Sequence, residues 1–193
     1  HNVSSAASDV YKRQGSNCYY YNFSKCIRIN LMKTKDIKRL SEEIILKAKE
    51  RQVIISTAES CTGGLIGSAL TSISGSSAVY DRGFITYSNE SKSDLLNIDI
   101  KLIKKYGAVS KEIAILMAEG ALKLSKASLT VSVTGVAGPG GGTKINPVGR
   151  VYIGIAKENK KTEYFLYTFE DKGRKYIREL TTLMALENIF RNL

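Results

Sequence analysis

The 193-residue chain contains no tryptophan, two prolines, three cysteines and a single histidine. The scarcity is sharper still in the part expected to fold. Residues 4–14, SSAASDVYKRQ, back-translate to DNA that resembles a transposon sequencing adapter, and the GSNCYYYNFSKCIRINL that follows has neither helical nor strand periodicity. Scars of this kind are kept apart from fold reasoning. We therefore expect residues 1–31 to be a non-native leader, the other reading being a genuine N-terminal extension, and the domain to be residues 32–193. His1, Cys18 and Cys26 fall in the leader, so the expected domain has one cysteine, Cys61, and no histidine.

Those absences exclude chemistry. Without histidine there is no Ser-His-Asp triad and no histidine-activated thiol. One cysteine closes no internal disulfide, and Cys61 alone builds no structural zinc site. A carboxylate-bound Mg²⁺ is not excluded, but no clustered acidic motif is present to hold one. No apolar run approaches a membrane helix, and residues 32–52 lack the apolar core of a signal peptide, so we expect a soluble, cytoplasmic protein.

Positive charge is abundant: 29 Lys and Arg against 18 Asp and Glu, a formal net charge of +11. The lysines are spread over every expected helix, often beside glutamate, and are not interleaved with aromatics in one stretch. That pattern reads as solvated helix faces and makes a nucleic-acid partner the weaker expectation. The surface potential still favours a small anionic substrate.

Apolar periodicity organises the rest. Leu40, Ile44, Ile45 and Ala48 recur at helical spacing, which predicts an amphipathic helix over 34–51. VIISTA (53–58) reads as a buried strand, and Leu65, Ala69, Leu70 and Ile73 restore helical spacing after it. Further strands are expected at 83–88, 129–135, 150–158 and 162–169, the last two joined by a hairpin-like Asn159-Lys160. Short helices are expected in SKSDLLN and IKLIKKYG, and longer ones at 110–127 and 173–191. Alternating strands and helices with a late hairpin imply an α/β fold with a mixed sheet in a single domain.

Loops after strands are where such sheets place ligands. In AESCTGG, Ser60 follows the first strand, and the amides around Cys61, Thr62, Gly63 and Gly64 could receive an anion or an oxyanion. Ser60 reads equally as a helix N-cap. If it is a nucleophile, the missing histidine leaves lysine, tyrosine or carboxylate as its base. Lys92, in YSNESK after another strand end, is the candidate, with Tyr87 able to orient it or relay a proton. A surface charge is the other reading of Lys92, and a buried small hydrophobe that of Cys61, the rival nucleophile. The GVAGPGGG loop, with Gly135, Gly138, Gly140 and Gly141, could cradle a phosphate or carboxylate or serve as a flexible connector, and lacks P-loop and dinucleotide spacing. Arg174 and Arg178, one turn apart, could clamp a phosphate or lie on a solvated face.

Taken in order, AESCTGG, RGFITYSNESK, GAVS, VTGVAGPGGG, NPVGRVYIG and GRKYIRE closely resemble the C-terminal domain of the CinA family, over essentially all of residues 32–193. The resemblance implies a three-layer α/β/α sandwich, usually dimeric, with no metal or organic cofactor. It also implies a nicotinamide mononucleotide deamidase that releases nicotinate mononucleotide and ammonia and returns the ring to NAD synthesis. Ser60 would be the nucleophile and Lys92 its base, with Tyr87 beside them. Thr134, the glycine loop, Arg174 and Arg178 would hold the ribose phosphate. A non-catalytic nucleotide- or partner-binding module, linked to competence and DNA damage, is the alternative. This chain departs from the family's common KPVGTV at Asn146 and Arg150, and its EDKG segment is one residue longer than usual.

Overall fold

The structure is a computed structural model that describes residues 33–193, with side-chain detail from Asp36 onward. The expected leader lies outside the described residues. The chain runs α1 (Lys33–Glu50), β1 (Ile55–Glu59), α2 (Leu65–Thr71), a 3₁₀ turn (Ser76–Ala78), β2 (Tyr80–Ile85), α3 (Asn89–Leu96), α4 (Ile100–Tyr106), α5 (Lys111–Lys123), β3 (Leu129–Gly135), β4 (Arg150–Lys157), β5 (Glu163–Thr168) and α6 (Arg174–Asn192). The sheet order is β2-β1-β3-β4-β5. Its first three strands are parallel, and β4 and β5 add antiparallel. This is the expected mixed sheet.

Alternation along β3 separates the two faces. Leu129, Val131 and Val133 join Ile55, Ile153 and Ile155 in the larger core, which α1, α2 and α6 cover with Ile44, Leu70, Ile177 and Met184. Thr130, Ser132 and Thr134 point the other way. Their hydroxyls donate to the carbonyls of Ala118 and Ala114 in α5 and of Ala108 just before it. Each buried hydroxyl thereby gains an acceptor where a bare one would cost about 1–3 kcal/mol. The second core, around Ala58, Leu96, Ile103, Ile113 and Met117, fills the space beneath α3, α4 and α5. Three layers result.

Small residues let α5 approach the sheet. A Cβ on Gly154 would lie 2.5 Å from the Ala114 carbonyl oxygen and 2.6 Å from Ser132 Oγ. The strand expected at 83–88 instead starts at Tyr80 and stops at Ile85. Tyr80-Asp81-Arg82 reads as polar because β2 is a half-exposed edge strand, and it pairs with β1 all the same. Beyond Ile85 the chain leaves the sheet, with the Thr86 amide donating to the Glu59 carbonyl at 2.8 Å. The first helix falls where the periodicity puts it, and Leu40, Ile44, Ile45 and Ala48 are all buried. Among the described residues, no helix is long and apolar enough to cross a membrane.

The Gly154 contact predicts that Gly154→Ala destabilises the fold by about 1–3 kcal/mol in urea unfolding, because backbone must move. Gly140→Ala, which meets nothing within 4 Å, should change stability by less than about 0.5 kcal/mol.

Candidate active site

The parallel strands deliver three segments to one end of the sheet. Ser60 directly follows β1, and its amide donates to the Val133 carbonyl at 3.0 Å, extending the ladder to the edge of the turn. Thr86 to Ser88 follow β2. Ser88 caps α3 by accepting from the Ser91 amide, and Ser91 Oγ accepts from the Ser88 amide in return. Lys92 sits one turn into that helix. Side chains on a helix lean toward its N-terminus, which carries the Lys92 amine back to the chain it has just left.

That amine is buried, with Lys92 only 1% exposed. Nζ lies 3.2 Å from Ser60 Oγ, 2.7 Å from the Thr86 carbonyl oxygen and 3.4 Å from that of Ser88. Lys92 forms none of the described salt bridges. Burial is the main cause that pulls its pKa from 10.5 down to about 8. A neutral amine has two hydrogens and one lone pair. With two carbonyls to accept those hydrogens, the lone pair of the neutral form can accept from the Ser60 hydroxyl, whereas the protonated amine donates to it. Cys61 is no rival: burial pushes its thiol up to about 12, far from any thiolate near neutrality.

Ser60 and Lys92 open onto a cavity of about 290 Å³ lined also by Cys61, Tyr87, Thr134, Gly135, Gly138, Gly140, Gly141 and Arg174. Ten of the residues singled out in the sequence thus meet in one place. Ala108 and Val109 of the GAVS segment, with Val136 and Ala137, complete the wall. The sequence reading gave them no role, since small apolar side chains carry no chemical signal. Thr134 lines the cavity with its hydroxyl committed to Ala108. None of the described hydrogen bonds uses the amides of Gly138, Gly140 or Gly141.

Four expected site residues, Thr62, Gly63, Gly64 and Arg178, do not line the cavity. Gly63 and Gly64 were candidates for an oxyanion, but the Gly63 amide closes a turn on the Ser60 carbonyl at 3.1 Å, and the Gly64 amide donates to Glu59 at 2.9 Å. Glu59, given no role in the sequence reading, is 1% exposed and also accepts from the amides of Ile66 at 3.1 Å and Gly67 at 2.8 Å. It seals the N-terminus of α2, where a carboxylate belongs. Arg178 does not line the cavity: Nε donates to the Cys61 carbonyl at 3.1 Å and Nη2 to that of Thr62 at 2.7 Å. Thr62 itself is fully buried beneath the turn. Of the expected oxyanion set Cys61 alone lines the cavity, and no described backbone–backbone hydrogen bond uses its amide.

Tyr87 stands on the rim, 63% exposed, and its hydroxyl accepts from Arg174 at 3.0 Å. No described hydrogen bond joins it to Lys92 or Ser60, so the expected relay through Tyr87 is not formed. Arg174 spans the cavity mouth, its Nη1 donating to the Gly138 carbonyl at 3.0 Å. Arg150, one of the two noted departures, does not line the cavity and donates to the Ile145 carbonyl. Asn146 ties the glycine-rich segment to the opposite wall through the Val109 carbonyl at 2.9 Å.

The family model described as the CinA C-terminal domain matches residues 37–193. The chain belongs to the CinA C-terminal domain family. A putative competence-damage inducible protein of Caldicellulosiruptor bescii is 48% identical over 156 residues, covering 81% of this chain and 37% of that protein. A CinA-like protein of Endomicrobium trichonymphae is 51% identical over 144 residues, 75% of this chain and 33% of its own length. The chain therefore spans about a third of the curated relatives it matches. The crystal structure of the competence/damage inducible protein CihA from Agrobacterium tumefaciens superposes with a TM-score of 0.79 at 46% identity, covering 81% of this chain and 94% of that one. A CinA superfamily protein from Escherichia coli gives 0.78 at 28% identity, covering 83% and 92%. The CinA fold and the expected layers agree. Among the described residues, no group of His, Cys, Asp and Glu could hold a metal ion.

The lowered pKa of Lys92 links stability to pH. The unfolded chain holds the lysine proton more tightly than the folded one, so stability rises as pH climbs from about 8 to 10.5. Relative to Lys92→Met, the parent should gain about 2–3 kcal/mol across that window in denaturant unfolding. A difference that stays constant with pH would mean that Lys92 titrates as an ordinary lysine.

Proposed function

We propose that this CinA domain is an amidohydrolase that converts nicotinamide mononucleotide and water to nicotinate mononucleotide and ammonia. One observation carries the reading: a buried amine 3.2 Å from a serine hydroxyl on the floor of a cavity. The family resemblance supplies the substrate. The cavity, at about 290 Å³, lies near the lower end of small-molecule sites, on the order of 300–1,000 Å³.

Neutral Lys92 takes the Ser60 proton as Oγ bonds to the carboxamide carbon, and charge moves onto the carbonyl oxygen. The amide of Cys61, next to Ser60 on the cavity wall, is the candidate to receive that charge. The carbon–nitrogen bond then breaks, the Lys92 proton passes to the leaving nitrogen, and ammonia departs. Water next attacks the nicotinoyl ester, its proton goes to Lys92, and the ester bond to Oγ breaks as that proton returns to Ser60. No step requires a cofactor. Arg174 at the mouth and the unused amides of Gly138, Gly140 and Gly141 supply positive potential for the substrate phosphate.

Ammonia release from nicotinamide mononucleotide tests the proposal. Ser60→Ala and Lys92→Ala should each lose on the order of 10³-fold or more in kcat. In the parent, kcat should rise with pH through a midpoint near 8, since the base form of Lys92 is needed. Binding without turnover in the parent would turn the reading toward a nucleotide-binding module.

A further inference from the structure

Arg178 was expected beside the substrate phosphate, and its geometry assigns it a different task. Its guanidinium grips two successive carbonyls, those of Cys61 and Thr62, from the side of α6. A trans peptide is planar, with its C=O and N–H on opposite sides. Holding the Thr62 carbonyl fixes the plane that carries the Gly63 amide, whose bond to the Ser60 carbonyl in turn fixes the plane that carries the Cys61 amide. On the far side of the turn, Glu59 occupies the amides of Gly64, Ile66 and Gly67, and the Ser60 carbonyl occupies that of Gly63. The turn is pinned at its carbonyls by a cation and at its later amides by an anion. No described backbone–backbone hydrogen bond uses the amides of Cys61, Thr62 or Leu65, and of these three residues Cys61 alone lines the cavity.

We propose that Arg178 is a positioning residue that fixes the Ser60 turn so that the Cys61 amide receives the oxyanion formed when Ser60 attacks. The proposal rests on the amidase reading above. Its consequence differs from that of a phosphate ligand. A phosphate ligand contributes to substrate affinity, whereas a positioning residue acts on the charge that exists only in the transition state.

The test compares the parent with Arg178→Ala and Arg178→Lys on nicotinamide mononucleotide and on its riboside, which lacks the phosphate. In parallel, Ser60 is labelled by a fluorophosphonate, where Oγ bonds to phosphorus, fluoride leaves and Lys92 takes the proton. Both variants should lose about 10²-fold in kcat on both substrates. KM should be unchanged, the pH midpoint should stay near 8, and labelling should slow by a similar factor. A rise in KM confined to the phosphorylated substrate would make Arg178 a phosphate ligand and overturn the proposal. If the parent releases no ammonia, the amidase reading has failed, and labelling decides alone: slower labelling of the variants sustains the positioning role, while equal rates or an unlabelled parent overturn it. Should Arg178→Ala not fold, Arg178→Lys, which keeps the charge but not the paired donors, carries the same outcomes.

Discussion

The site depends on an amine kept out of water with no carboxylate to pair with it. A lysine in that position gives up its proton more easily than in solvent, and the structure returns little to it except two backbone carbonyls and the Ser60 hydroxyl. Everything nearby serves to keep that arrangement in place. The Ser88–Ser91 capping box starts α3 at the point from which Lys92 reaches back. The strand edge at Ile85 supplies Thr86, whose amide is tied to β1 and whose carbonyl faces the amine. The sheet thus holds both partners through its backbone, and the spacing between Ser60 and Lys92 is set by the parallel pairing of β1 with β2.

The other face of the sheet does complementary work. Thr130, Ser132 and Thr134 form a row of hydroxyls whose acceptors are carbonyls of α5 and of the segment leading into it. That row fixes the GAVS wall of the cavity to β3, the same strand whose end anchors the Ser60 amide. A displacement of α5 would break a buried hydrogen bond before it changed the cavity. Gly154 and the alanines of α5 make the close approach possible, so packing and site geometry are one constraint here.

The legible parts of this molecule were those in which side-chain type carries the signal. Helical spacing through Leu40, Ile44, Ile45 and Ala48 marked α1, and β-branched runs marked β1 and β3. The absence of histidine from residues 32–193 narrowed the base for Ser60 until Lys92 stood out, and the two do lie side by side. Reading failed where the backbone acts. Gly63 and Gly64 looked like anion binders, but their amides are spent inside the turn. Glu59 was given no role because sequence does not show that three amides converge on it. Arg174 and Arg178, one turn apart, looked alike and are not: one reaches the cavity mouth, and the other faces the carbonyls of the Ser60 turn. The beginning of β2 was missed because an edge strand can be polar and still pair.

The glycine-rich segment between β3 and β4 is stapled at its base. Val136 and Arg150 close the two ends by backbone hydrogen bonding, and the Gly149 amide donates to the Val136 carbonyl. Gly149, at φ 90, packs so tightly on Phe169 that a Cβ would come within 2.1 Å of its carbonyl oxygen. The loop is a closed appendage on a rigid hairpin root. Its length and composition can drift without altering the register of β4 on β3, and hence without moving the serine or the lysine. Reactivity and ligand choice are therefore separately adjustable in this architecture: one is written into the sheet, and the other hangs from it.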